Sequence, residues 1–174
     1  MSQFDKDYIR GTESEMESNN MLDAIFMTEL KRDADDKANF DFYNDDYRVE
    51  LKTRFNTWYD KDKDMIFIKN RKGKVSAINT LYFDQVKLDK ARDNIKNGCQ
   101  REYYVVWRLM NDDYFYWKMN WTRGTGDNIY HEFKEFYVEE QYRDRGKGYA
   151  QDTKVVNVKD TYIKHAYNEI DSDE

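Results

Sequence analysis

The sequence predicts an α/β protein with one mixed β-sheet flanked by helices, and three observations carry that expectation. Apolar residues recur first at helical spacing, then in alternation, then helically and again in alternation, the order helix, strands, helix, strands. A chain of 174 residues suits a single hydrophobic core. Although 37% of the residues are charged, 15 Tyr, 10 Phe and 4 Trp can fill that core with large side chains. One domain over 1–174 is therefore expected, with residues from about 121 onward an extension of it.

The first helix is predicted from about Thr12 to Lys31, where Leu22, Ile25, Phe26 and Leu30 share a face and Thr12 with Glu15 reads as a capping box. Glu15 lies nearly two turns before Leu22, so its carboxylate falls on the azimuth of the buried stripe; capping is the equally weighted structural role. Alternating segments at Asn39–Tyr43 and Tyr47–Arg54 follow, with Asn44, Asp45 and Asp46 as turn residues. Met65–Lys69 and Val75–Ile78 form a further strand pair across the basic turn Asn70–Lys74. Leu81, Leu88, Ala91 and Ile95 mark a second helix, capped at Asn79 or Thr80 and stopped near Gly98. Glu102–Met110 and Tyr114–Met119 read as an aromatic hairpin. Beyond Trp121, Glu132–Glu139 fits strand or helix, Tyr142–Asp152 a polar loop, Lys154–Lys159 a strand and Thr161–Ile170 a closing helix.

Composition removes several functions. No stretch approaches the roughly 18 apolar residues of a membrane span, and the N-terminus has no apolar signal core, so a soluble intracellular protein is expected. The absence of proline beside abundant Asn, Asp, Lys and Tyr suggests an AT-rich genome of viral type. Cys99 has no partner for a disulfide, and with His131 and His165 it gives no zinc spacing. Asp60, Asp62 and Asp64 imitate a calcium loop, but Met65 and Arg71 stand where glycine and glutamate are needed. The glycines at 124–126 and 146–148 lack phosphate-loop spacing. A net charge of −6 disfavours indiscriminate nucleic-acid binding. The cations nevertheless concentrate mid-chain, at Lys69, Arg71, Lys72 and Lys74 and again from Lys87 to Arg101, leaving a phosphate-facing surface open.

The strongest local signal is the hairpin spanning 39–54. If Phe40 and Phe42 share a buried face with Val49 and Leu51, then Asp41 falls beside Glu50 and Lys52 on the other face. A two-residue Asp45–Asp46 turn places Asp41 opposite Glu50; an Asn44–Asp45 turn makes them diagonal neighbours, in either case about 5 to 8 Å apart. Like charges so close in a ladder need neutralising, and a divalent cation on hard oxygen ligands does this, Mg2+ or Mn2+ in preference to zinc. The alternative is an ordinary solvated outer face.

Glu15 in the motif G-x-x-x-E, then Asp41, then Glu50-Leu51-Lys52 resemble the PD-(D/E)xK nuclease superfamily over about residues 11–120. No proline precedes Asp41, a departure from the family pattern. The resemblance implies a restriction-endonuclease-like αβββαβ core and a Mg2+- or Mn2+-dependent deoxyribonuclease, an endonuclease acting on DNA. It implies that Asp41 and Glu50 bind the metal with the Leu51 carbonyl, that Glu15 is a direct or water-mediated ligand, and that Lys52 orients and helps deprotonate the attacking water. The family's later glutamine or lysine falls on Gln85 or Lys87, and Arg71, Lys72 and Lys74 are candidate phosphate contacts. Because many members pair to cut two strands, a homodimer is one implied assembly. Two other readings stay open: an acidic partner-binding protein that mimics DNA, and a single-strand-binding module using the aromatic hairpin as a stacking platform.

Overall fold

A computed structural model describes residues 2–34, 40–124, 129–131, 134–144 and 150–166. In chain order they form α1 (Gln3–Phe26), β1 (Lys31–Arg32), β2 (Phe42–Tyr43), β3 (Tyr47–Thr53), β4 (Thr57–Asp60), β5 (Met65–Lys69), β6 (Val75–Ile78) and β7 (Thr80–Asp84). There follow α2 (Gln85–Lys96), β8 (Glu102–Arg108), β9 (Tyr114–Lys118), β10 (Trp121–Arg123), β11 (Ile129–His131), β12 (Phe136–Asp144), β13 (Ala150–Lys159) and β14 (Lys164–His165). The protein is thus mixed α/β, as predicted. None of the described helices is long and apolar enough to cross a membrane.

The largest sheet has the order β1-β2-β3-β8-β9-β14. Only β3 and β8 run parallel in it, from Tyr47 beside Glu102 to Thr53 beside Arg108. A parallel pair needs a long crossover, and residues 54–101 supply it, carrying α2. Both strands are buried through their centres, as parallel strands covered on two faces should be.

On one face α1 places Leu22 against Phe42, Val49, Leu51 and Val106. The other face carries Val105, Trp107 and Trp117 against Leu88 and Ala91 of α2. The C-terminal strands complete that second core. β13 pairs with both β12 and β7, bringing Phe136, Val156 and Val158 into it, and β14 pairs with β9. β4, β5 and β6 make a separate three-stranded sheet, attached through Ile66 and through Tyr59, whose ring meets Phe115 edge-on at 5.4 Å.

Several boundaries differ from the sequence expectations. α1 begins nine residues before Thr12, because Ser2 and Asp5 form the capping box: the Asp5 N–H donates to Ser2 Oγ at 3.1 Å and the Ser2 N–H to Asp5 Oδ2 at 3.0 Å. Thr12 is mid-helix and Glu15 is not a capping residue. The first turns of α1 show no apolar stripe because they project beyond the sheet. The helix ends where Met27 turns left-handed, φ 51°, and its N–H bonds the Ala24 carbonyl.

Leu81, assigned to the second helix, belongs to β7, and the N-cap of α2 is Asp84. Much of the segment expected to be a polar loop is hairpin, with β12 running to Asp144 and β13 starting at Ala150; residues 145–149 lie outside the described residues. The closing helix is replaced by a short 3-10 turn, Asp160–Tyr162, and β14, with 167–170 outside the described residues. β1 and β4 were not foreseen. The aromatic hairpin is core: Tyr103, Trp107, Tyr114, Phe115 and Trp117 are all buried, which removes most of the surface that a stacking platform needs.

Gly11 sits inside α1, where a Cβ would meet nothing within 4 Å. Gly11→Ala is expected to stabilise the fold by about 0.5–1 kcal/mol through backbone entropy, read as a higher urea midpoint at unchanged slope.

Candidate active site at the β2–β3 hairpin

The hairpin closes through Asn44. Its N–H donates to the Tyr47 carbonyl at 3.1 Å, while its side-chain oxygen accepts from the N–H groups of Asp46 and Tyr47, both at 2.8 Å. This Asx turn leaves Asp45 and Asp46 as the loop and sets Tyr43 opposite Arg48 and Phe42 opposite Val49. Continued by one residue, that register sets Asp41 across from Glu50. Asp41 itself lies in a bend before β2, and its Oδ2 accepts the Leu51 N–H at 2.8 Å. The expected strand from Asn39 is thus only Phe42–Tyr43; residue 39 lies outside the described residues.

Phe42, Val49 and Leu51 share the α1 face as expected. Phe40 does not join them. The bend at Asp41 turns it into the other core, where its ring lies 5.1 Å from that of Tyr103.

Glu50 and Lys52 point to the α2 face, and this is no solvated exterior: the Glu50 side chain is 2% exposed. Lys52 Nζ stands 2.7 Å from Glu50 Oε1 and 3.8 Å from Asp84 Oδ2. Lys87, on the first turn of α2, reaches back to 3.1 Å from Glu50 Oε2. The like-charge argument counted one cation beside Glu50; the structure supplies two. Each carboxylate oxygen of Glu50 thus faces an ammonium.

Glu15 enters from α1. Its Oε2 accepts from Arg32 Nε at 3.0 Å, its carboxyl bonds to Asp41, and burial raises its pKa against the pull of Arg32. Asp41 is pushed up to about 7, first by burial, then by the charges of Glu50 and Glu15, with Lys52 and the Leu51 N–H pulling the other way. Two carboxyl groups so placed hold a proton between them near neutrality. For Lys52, burial lowers the pKa, but Glu50, Asp84 and Asp41 outweigh it, so the ammonium keeps its proton.

The structure therefore brings together Glu15, Asp41, Glu50, Leu51, Lys52 and Lys87. It adds Arg32 and Asp84, which the sequence reading missed. Arg32 lies at the end of the segment assigned to helix and carries no pattern of its own. Asp84, an acid opening a helix three residues before Lys87, was the readable signal. Gln85 opens α2 without a resolved contact to the carboxylates. Arg71, Lys72 and Lys74 are exposed on the β5–β6 turn of the separate sheet, where Asn70 Oδ1 accepts from the Lys72 and Lys74 N–H groups. None of these three is joined to the carboxylates by an ion pair or hydrogen bond among the described residues.

Comparison with family models, curated proteins and solved structures returns no match. Function must rest on this geometry. Among the described residues, no group of three or more His, Cys, Asp or Glu side chains converges as a ready metal cage. His165 pairs with Asp113 at 3.1 Å in a different part of the molecule, and the side chain of His131 lies outside the described residues.

A folded-state pKa of about 7 against an ordinary 3.8 means that Asp41 stabilises the fold while protonated. That contribution is complete below about pH 4 and is lost as pH rises through about 7. In chelator, the melting temperature of the wild type is expected to fall more steeply between pH 4.5 and 7.5 than that of Asp41→Asn. Parallel slopes would show that Asp41 is ionised throughout.

Proposed function

We propose that the chain is a metal-dependent deoxyribonuclease, an endonuclease of the PD-(D/E)xK type with a restriction-endonuclease-like core. The observation that carries this reading is the placement of Asp41, tied to the Leu51 N–H, beside a Glu50–Leu51–Lys52 strand whose acid and lysine share one face. The order α1, hairpin, crossover helix α2 and parallel β8 supports it.

The residues present fit a hard divalent cation. The donors that meet at the hairpin are carboxylates and a backbone carbonyl, all hard oxygens, and the proton Asp41 carries up to about pH 7 is one that a cation would displace. Asp41 and Glu50 would hold Mg2+ or Mn2+, with the Leu51 carbonyl and Glu15 completing the set directly or through water. Bound there, the ion supplies charge stabilisation at the phosphate and acidifies a water.

The chain's own groups do the rest. Glu50 fixes the Lys52 ammonium at 2.7 Å. Because Lys52 is protonated in this state, it contributes first as a donor that orients the attacking water and as a charge beside the scissile phosphate. Passing a proton from that water requires the carboxylates to loosen their hold on the lysine. Arg32 holds Glu15, and through it Asp41, in place.

One observation favours a different reading. Lys52 and Lys87 together neutralise Glu50, as they would in a nuclease fold that binds a partner through its acidic surface and no longer cuts. Nicking of supercoiled DNA separates the two. The nuclease reading expects cleavage with Mg2+ or Mn2+ but none in chelator, and at least about a hundredfold loss in Lys52→Ala and Glu50→Gln with circular dichroism unchanged. Cleavage that survives both substitutions removes the site assignment, and no cleavage by wild type under any metal favours the binding protein.

A further inference from the structure

A cleft of about 590 Å3 opens beside the hairpin, on the other side of Phe40 from the carboxylates. Phe40 is the shared wall: its ring lines the cleft and lies 5.7 Å from the Lys87 ammonium that reaches Glu50. The volume is in the range of small-molecule sites, yet the chemistry is cationic instead of apolar. Arg48, on β3, and Arg101, just before β8, both line it, and among the described lining residues Asp33 is the one acid.

Both guanidiniums are positioned by the hairpin turn. Arg101 Nε donates to the Asp45 carbonyl at 3.2 Å, and Arg48 Nη1 approaches the Asn44 carbonyl at 3.4 Å while its guanidinium lies 5.1 Å over the Tyr43 ring. The Asx turn that sets the register of Asp41 thus also places the two arginines. A guanidinium fork suits a phosphate geometrically, and two of them converging leave few other anions as good a match.

Cys99 lies at the floor of the same cleft and reports its field. The Tyr103 hydroxyl donates to Cys99 Sγ at 3.3 Å, and the Arg101 N–H also points at the sulfur. Burial pushes the thiol pKa up, but these donors and the charges of Arg101 and Arg48 outweigh it, leaving the net shift downward. Surroundings that favour a thiolate favour other anions.

We propose that this cleft binds the phosphate of a nucleotide, gripped by Arg48 and Arg101, next to the carboxylate site. Its placement on a DNA strand, as a phosphate neighbouring the one cut, rests on the nuclease reading; the phosphate grip does not. Tyr43 and Phe40, which flank Asp41 on the hairpin side, also line the cleft.

As the only cysteine of the chain, Cys99 gives a direct readout. Its alkylation by iodoacetamide is measured in chelator at constant ionic strength, with thymidine, thymidine 5′-monophosphate, inorganic phosphate or a short oligothymidylate present. The two simple phosphates are expected to slow alkylation at least about fivefold at saturation, and thymidine to leave it unchanged. Arg101→Ala and Arg48→Ala should each weaken protection at least about fivefold relative to their own unprotected rates, whereas the exposed Lys154→Ala should not.

Protection by the oligonucleotide at a tenfold lower concentration assigns the phosphate to a strand, and equal potency assigns it to a free nucleotide; both support the grip. No protection by any phosphate-bearing probe, or equal protection by thymidine, overturns it. Since the assay needs no metal and reads no cleavage, a protein that protects Cys99 but never nicks DNA keeps this inference and loses the nuclease reading.

Discussion

A carboxylate with almost no exposure sits in the middle of the central strand, and much of the architecture answers to it. Removing Glu50 from water costs several kcal/mol unless its charge is met at close range. Lys52 meets it from two residues along the same face. Lys87 meets it from α2, which is possible only if the crossover between β3 and β8 lays that helix over this face of the sheet. The parallel pairing, the docking of α2 and the polar cluster are therefore one constraint. Leu88, next to Lys87, and Ala91, one turn on, pack into the core that the crossover creates. Replacing Glu50 alone would leave two lysines close together at the edge of that core.

The hairpin was legible because its determinants are local. The alternation of Phe42, Val49 and Leu51 admits one facing, so that Asp41 neighbours Glu50 could be read from a dozen residues, and of the two registers left open the Asn44 side chain selects the one that sets them opposite. What lies across the face was not. The solvated outer face stayed open as an alternative for Glu50 because its surroundings come from Lys87 and the β8 residues Val105 and Trp107, all more than thirty positions away. Phe40 was misplaced since alternation assumes a continuous strand, and the bend at Asp41 breaks it. Helix ends erred in a related way: the apolar stripe of α1 covers only the turns that touch the sheet, whereas Ser2 and Asp5 start the helix in solvent.

The carboxylates solve the same electrostatic problem by two means. Glu50 is balanced by lysines, so its charge persists. Asp41 and Glu15 have only Arg32 and the more distant Lys52 to balance them, and a proton supplies the remainder near neutrality. Such a cluster is poised between two fillings. Below pH 7 protons satisfy it; above, it carries excess negative charge in a partly desolvated place, the condition under which a divalent cation gains most.

A chain with a net charge of −6 can still host a phosphate, because the sign that matters is the one within a screening length, about 8 Å at physiological ionic strength. Arg48 and Arg101 line one cleft with Cys99, and the charges of both lower the pKa of its thiol. The exposed cations of the β5–β6 turn lie on another sheet and add only to a diffuse field. Charge counting along the sequence favoured that turn, since Arg71, Lys72 and Lys74 are adjacent there. Arg48 and Arg101, separated by more than fifty residues and unremarkable singly, are brought to one cleft by the Asn44 turn.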